Sequence, residues 1–392
     1  MAVKTNYAKN GNDYYRVTAT IGRDSNGKPI RKEFYGKGKK DAETKRDEYL
    51  NGIKNGLNLD FNTTSLGKLI YVWLFEVVRV KSKPSTFERY EGIYRNYIKD
   101  TDIYALLLND LKSIHLQRHY NSLYGNGKTT SQIKNLNKLL KSFFNYAVDE
   151  GYILKNPCSG KKIAMPGDSE MNILENEDED IVVYTDEEIK RIRNALLNNR
   201  IQALILLDLG TGLRQGELLA LKWSDFSDGY KDLKVQRSIK HVKIIAADGT
   251  SEYKTVIQTP KTKSSYRTVP IPSNLIPILE NQKLMQQQDK EKAGSSYVDN
   301  DFVFTTESGN TLDTGNLRRA YVRMLKKAGV EFKKFHAIRH TYATKLFEKG
   351  KALKTVQKLL GHSDISITAN IYTHVMPEQK IDAAEELNDL FD

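Results

Sequence analysis

The chain has 392 residues, room for two or three domains at roughly 150 residues each. Lys and Arg number 61 against 49 Asp and Glu, and this net charge of +12 suits a polyanionic partner. The one cysteine, Cys158, excludes a disulfide framework and a zinc site built on several thiolates, and no apolar run reaches the roughly 20 residues of a membrane span. A cytoplasmic setting is the expectation, since residues 1–15 lack the apolar stretch of a secretory signal.

The predicted elements begin with a small sheet. Asp13–Ile21 is rich in β-branched and aromatic residues, Asp24–Gly27 supplies a turn, and Pro29–Tyr35 makes a second strand before a helical pattern over Lys39–Ile53. Residues 1–60 carry 13 Lys and Arg against 8 Asp and Glu. That excess reads equally as a solvated face or as a sheet laid into a DNA groove with its cations on phosphates.

From 63 to 156 the pattern is helical. Apolar residues recur at helical spacing over Leu66–Val80, and Ser85–Glu88 has the form of a capping box opening a second helix through Tyr90, Tyr94 and Ile98. A third helix is predicted from near Asn109 and Asp110, and a fourth over Thr130–Asp149, stopped before Gly151. Lys128, Lys134, Lys138 and Lys141 lie broadly on one side of the fourth helix, as a wet face or as a helix tracking phosphates.

Residues 155–183 read as a linker, with breaks at Asn156-Pro157 and Pro166-Gly167 and an acidic run over Glu175–Asp180. A second capping box, Thr185–Glu188, opens a last domain that alternates helices with strands at Lys234–Lys243, Thr255–Gln258, Arg267–Pro270 and Phe302–Phe304.

Several chemistries fall away. Gly210-Thr-Gly212 runs into Leu213-Arg214, which is no phosphate-binding Walker loop. His336 and His340 share a helix face without the His-Glu-x-x-His frame of a zinc enzyme, and no Gly-x-Ser-x-Gly elbow occurs. There remains a set of cations, histidines and one tyrosine. Arg214 sits in TGLRQGELLAL, Lys261 in TPKTKSSYRTVPI, His336, Arg339 and His340 in HAIRHTYAT, His362 in LLGHSDISIT and Tyr372 in NIYTHV. Two guanidiniums can clamp one phosphate, histidines can hydrogen-bond its oxygens or handle protons, a phenol can attack phosphorus, and a lysine can protonate the leaving alkoxide. Such a site calls for no metal and no cofactor. Taken singly, each residue has a plainer reading: Arg214 with Glu217 as an ion pair, Lys261 as a turn lysine, the histidines and Tyr372 as capping or core groups.

In this order and at these spacings the segments resemble the tyrosine recombinases of the phage-integrase type, in layout those of conjugative transposons. The resemblance spans nearly the whole chain. The family pattern of Arg, Lys, His-x-x-Arg, His and Tyr falls on Arg214, Lys261, His336, Arg339, His362 and Tyr372, with Lys263 a neighbouring alternative to Lys261. Glu217 matches the acidic position that supports the first arginine, and His340 is expected to support the site without touching the phosphate.

The resemblance implies a multidomain α+β fold. Residues 1–57 form an arm-type DNA-binding domain with a three-stranded sheet plus a helix, with Tyr14, Arg16, Arg31 and Lys32 as candidate contacts. Residues 63–156 form a four-helix core-binding bundle with Lys134, Lys138 and Lys141 on phosphates, and 157–183 a linker. Residues 184–392 form a mixed, mainly α catalytic domain with a small antiparallel sheet. The implied reaction is site-specific cutting and rejoining through a 3′-phosphotyrosyl link and a four-way junction, without ATP, by a homotetramer on double-stranded DNA at core sites and arm repeats. An excisionase and a host DNA-bending protein are further partners it allows. Residues 375–392 hold one Lys and six Asp or Glu with an apolar helical stripe through Ile381, Ala384, Leu387, Leu390 and Phe391, a tail expected to dock in cis or on a neighbouring subunit. Two rivals stand beside this reading, a nicking and resealing or dimer-resolving enzyme of the same fold and a silent DNA-binding regulator.

Overall fold

The computed structural model describes residues 6–9, 12–23, 29–54, 64–160, 163–167, 181–259 and 265–375. The chain divides into two compact units, residues 1–173 with 245–250 and residues 174–244 with 251–392.

In the first unit the β-branched and aromatic residues of β2 (Asn12–Arg23) pair antiparallel with β1 (Tyr7–Lys9) on one side and β3 (Pro29–Gly36) on the other. Strand alternation turns Phe34 inward, where it and Ala42 of α1 (Lys39–Lys54) are buried. The remaining surface is aromatic and basic. The Tyr7 and Tyr14 rings pack on Tyr35, the Arg16 guanidinium lies 4.8 Å over the Tyr7 ring and the Lys32 ammonium 4.2 Å over Tyr49. Arg16 and Arg31 are exposed.

The helices of this unit are α2 (Leu66–Val72), continued by a π-helical turn (Trp73–Val78) into α3 (Arg79–Lys81), then α4 (Pro84–Tyr97), α5 (Asp102–Ala105), α6 (Ser113–Gly125) and α7 (Thr130–Asp149). On α7, Ile133, Leu136, Leu140, Phe144 and Ala147 recur three or four apart and are fully buried, beside Leu74, Ile98, Leu116 and Tyr120. Burial of each large apolar side chain is worth about 1.5–3 kcal/mol before entropy. Thr129 caps α7, accepting from the Gln132 amide, and Gly151 takes the left-handed turn after it (φ 71°).

Three expectations are corrected here. The Ser85–Glu88 capping box does not form: Pro84, with its fixed φ and missing N–H, takes the first helical position, so Lys83 is the cap and Ser85 lies inside the helix. The third long helix starts at Ser113, since Leu108–Asp110 form a separate 3-10 turn. The helix over Leu66–Val80 is interrupted by its π turn.

The second unit is built on α9 (Gln202–Thr211), apolar on nearly every side and buried from Ala203 to Asp208. It follows α8 (Asp186–Ala195), which opens on the Thr185 and Glu188 capping box. After α10 (Gln215–Leu218) come β4 (Asp232–Val235), β5 (Ser238–Ile245), β6 (Ser251–Gln258) and β7 (Arg267–Pro270). Strand β4 pairs antiparallel with β7, and β5 pairs with β6. The helices α11 (Ile276–Ala293), α12 (Thr314–Ala328), α13 (Ala337–Glu348), α14 (Leu353–Leu360) and α15 (Ile365–Val375) complete it.

The single strand expected over Lys234–Lys243 is two. Gln236 and Arg237 break the run by turning their side chains to the buried Asp225 carboxylate, Arg237 at 2.6 Å. Phe302–Phe304 forms no strand; Phe302 makes one isolated bridge to Lys222 and is buried with Val303 and Phe304 in the core. No described helix is long and apolar enough to cross a membrane.

Candidate active site

The site is organised by the C-terminal end of α14. Its last carbonyls lack intrahelical partners and carry the negative end of the helix dipole. Three guanidiniums take three successive carbonyls: Arg267 Nε donates to Leu359 at 2.7 Å, Arg339 Nη2 to Leu360 at 2.7 Å and Arg214 Nη2 to Gly361 at 3.2 Å. Gly361, at φ 67°, ends the helix in the left-handed conformation and turns the chain into His362.

Each arginine reaches this point from a different element. Arg214 is the N-cap residue of α10, Arg267 the first residue of β7, and Arg339 lies in the first turn of α13. Arg339 is anchored a second time, its Nη1 donating to Gly212 at 2.6 Å. Gly212 ends α9 at φ 60°, and a Cβ there would stand 2.3 Å from the Tyr342 ring, so glycine alone fits. Glu217 ties the second pair: its Oε1 accepts from Arg214 Nη1 at 2.8 Å and its Oε2 from Arg267 Nη2 at 2.9 Å. Glu217 thus contacts both Arg214 and Arg267.

Exposure divides the set. Arg339 is buried, 1% exposed, whereas the Arg214 side chain is 38% exposed and His336 is exposed. Arg214 and His336 therefore form the open face over a buried Arg339. His336 is the N-cap residue of α13, and its ring meets that of His340 edge-on at 4.7 Å. His362 is buried, with Nδ1 2.9 Å from the hydroxyl of Thr368 on α15.

The electrostatics follow from this crowding. Burial, then the charges of Arg214 and Arg267, push the Arg339 guanidinium down to about 9, still charged at pH 7. Loss of water around the ring, although the residue keeps an exposed edge, and then His340, Arg339 and Arg214 push His336 down to about 4; burial, then Arg339 and Arg214, push His362 down to about 3. Both imidazoles are neutral at pH 7. Burial alone would raise the Glu217 carboxyl, but the Arg267 hydrogen bond and the charges of Arg267 and Arg214 hold it below its ordinary value. Asp208 is opposite in sign. Burial pushes its carboxyl well up, against the pull of Arg339, and its Oδ1 has no hydrogen-bond partner. The cluster is thus short of negative charge, and a phosphodiester would supply it.

Tyr372 lies on α15, half-buried, its ring edge-on to Phe347 at 5.1 Å within a small cluster with Val356, Leu360 and Ile371. Leu360 thus gives its carbonyl to Arg339 and its side chain to the cluster that holds Tyr372. Lys261 and its alternative Lys263 lie outside the described residues, as do 376–392 of the tail. The described residues hold no group of three His, Cys, Asp or Glu able to bind a metal. In the first unit, Lys134, Lys138 and Lys141 are exposed along α7, and Tyr14 and Lys32 are half-buried in the aromatic surface of the sheet. Sequence reasoning missed Arg267, Asp208 and Thr368. Arg267 had one available signal, a cation two residues before the buried Val269 and so on the core-facing side of its strand.

The phage integrase family model matches residues 182–379, and the N-terminal SAM-like domain of phage integrases matches residues 65–124. The chain belongs to the phage integrase family. It is a tyrosine recombinase, an enzyme of site-specific DNA recombination. A relative in Caldanaerobacter subterraneus subsp. tengcongensis, named tyrosine recombinase XerC-like, is 61% identical over the full length of both chains. The ICEBs1 integrase of Bacillus subtilis is 24% identical over 84% of each chain. Among solved structures, the Tn1549 transposon integrase in complex with transposon right end DNA aligns with a TM-score of 0.64 at 20% identity, over 84% of this chain and 100% of that one. A lambda integrase tetramer bound to a Holliday junction aligns at 0.52 and 19%, over 90% and 92%. The recombinase fold is common to this chain and both solved structures.

Proposed function

We propose that this recombinase is the integrase of a mobile element, cutting and rejoining double-stranded DNA through Tyr372. The observation that carries the reading is the set of three guanidiniums on three successive carbonyls, which brings Arg214 and Arg339 to the end of the helix next to the tyrosine's, with His362 on the turn that follows and His336 at the start of the helix of Arg339.

Arg214 and Arg339, with His336 and His362, hold the scissile phosphate. The Tyr372 phenol oxygen attacks phosphorus, the bond to the 5′ oxygen breaks, and a 3′-phosphotyrosyl link remains. A neutral imidazole can take the phenol proton. Lys261 gives a proton to the departing 5′ oxygen, and the 5′-hydroxyl of a partner duplex then attacks the phosphotyrosine. Bond energy is kept in the link, so the step uses neither ATP nor metal. Two such rounds pass through a four-way junction.

In this reading residues 1–57 bind arm repeats through the face of Tyr14, Arg16, Arg31 and Lys32, residues 63–156 bind the core site through Lys134, Lys138 and Lys141, and 184–392 carry the chemistry. Four subunits assemble on DNA in the cytoplasm, with an excisionase and a DNA-bending protein as accessory factors. His340 supports His336 by ring contact. A second reading, a recombinase that resolves chromosome dimers on the same fold, is set against this one; the 61% identical relative is named XerC-like rather than integrase, and the aromatic and basic N-terminal sheet favours the first.

A suicide substrate nicked beside the crossover tests the reaction. The native chain should accumulate covalent protein–DNA complex, and Tyr372→Phe should give none; trapping by Tyr372→Phe, or none by the native chain, overturns it. Footprinting of distal repeats that vanishes on deleting 1–57 separates integrase from dimer resolvase.

A further inference from the structure

Arg267 has no role in the reaction as proposed above, although it is one of the three guanidiniums on the end of α14. Its side chain is 5% exposed and makes contacts to two separate parts of the site. Nη2 donates to Glu217 Oε2 at 2.9 Å, and Glu217, itself 5% exposed, holds Arg214 by its other oxygen. Nε donates to the Leu359 carbonyl at 2.7 Å, one residue before the carbonyl that holds Arg339. Nη1 donates to the Ser265 carbonyl at 3.4 Å, two residues before β7 begins.

We propose that Arg267 is a positioning residue of the recombination site, fixing Glu217 and the end of α14 relative to each other so that Arg214 and Arg339 meet one phosphate. This rests on the reading of the site given under Proposed function. The rigid planar fork of an arginine suits the task, because two donors at fixed angles set the distance between a carboxylate and a carbonyl. Without it Glu217 has Arg214 as its remaining side-chain donor and can draw the guanidinium inward, away from the phosphate. A misplacement of about 1 Å in a catalytic group costs about 100-fold in rate. Arg267 itself is covered and touches no DNA in this scheme, so affinity is not its concern.

The test uses the full chain, the nicked suicide substrate, and Arg267→Met, Arg267→Lys, Glu217→Gln and Arg267→Met with Glu217→Gln, with Tyr372→Phe as control. At saturating protein Arg267→Met should trap about 30-fold or more slowly, with the Kd for uncut core-site DNA within about threefold of native. Arg267→Lys, able to satisfy one acceptor but not both, should fall between. In the Glu217→Gln background Arg267→Met should add less than about threefold, since both changes break one linkage. Native-rate trapping by Arg267→Met, or fully additive losses in the double variant, would overturn the proposal. If Arg267→Met does not fold, Arg267→Lys decides, and its trapping at the native rate would overturn it equally. Failure of the native chain to trap would remove the site reading and this inference together, whereas trapping that needs Tyr372 but ignores residue 267 defeats this inference alone.

Discussion

His362 Nδ1 lies 2.9 Å from Thr368 Oγ1, and Thr368 is buried on the helix that carries Tyr372. The pairing occupies one ring nitrogen, and in the proposed reaction it leaves Nε2 for the phosphate. It also joins the turn of His362 to the helix that carries Tyr372. Thr368→Val keeps the shape and removes the hydroxyl, so single-turnover cleavage should drop by about 10-fold with DNA affinity unchanged, while Thr368→Ser should restore most of it. Equal rates for Thr368→Val and the native chain would show that the hydroxyl does not orient His362.

Gly212 is held to glycine twice, by its φ of 60° and by the Tyr342 ring 2.3 Å from any Cβ. Gly212→Ala should lose about 1–2 kcal/mol for the left-handed backbone and about 1–3 kcal/mol more for overpacking. Chemical denaturation measures the sum. Trapping should fall further than stability alone explains, because the Gly212 carbonyl anchors Arg339.

Asp208 predicts a pH dependence of stability. Its folded pKa lies well above the ordinary 3.8, through burial first, with Arg339 and the Leu213 amide pulling it down and Glu217 pushing it up. A carboxyl raised in this way favours the fold fully below about 3.8 and loses that contribution as pH rises through the folded value. Asp208→Asn removes the effect. Denaturation midpoints of the two chains should agree near pH 4 and diverge towards pH 8, with the variant the more stable at the higher pH. Parallel curves over that range would contradict the assignment.

Lys134, Lys138 and Lys141 stand exposed on one helix. If each meets a phosphate, its replacement by Ala should lower the slope of log K against log salt by about 1, with little change in preference among core sequences. An unchanged slope would return the stripe to a solvated face.

Much of this molecule is legible in its sequence, and the limits are physical. Helix α7 is written in local terms, a Thr129 cap, an apolar stripe and a closing Gly151, and it forms over Thr130–Asp149 as read. Ser85 fails as a cap because Pro84, one residue earlier, decides the helix start. Lys234–Lys243 fails as one strand because its break depends on Asp225, a buried partner outside the strand, 12 residues before Arg237. The same division holds at the site. Arg214, His336, Arg339, His362 and Tyr372 carry a recognisable order, whereas Arg267, Asp208 and Thr368 matter only through what the fold brings to them. The burial of Arg339 beside a half-buried Arg214 is likewise a tertiary fact.

The most direct test of the central claim is the chemistry of the trapped bond. Digestion of the suicide complex after lysine gives a peptide of residues 359–380, in which Tyr372 is the sole tyrosine. Mass spectrometry should find the DNA fragment on that tyrosine through its 3′ phosphate, and the released strand should carry a 5′-hydroxyl that a polynucleotide kinase can label. DNA attached to another peptide, or a released strand ending in a 5′ phosphate, would contradict the account.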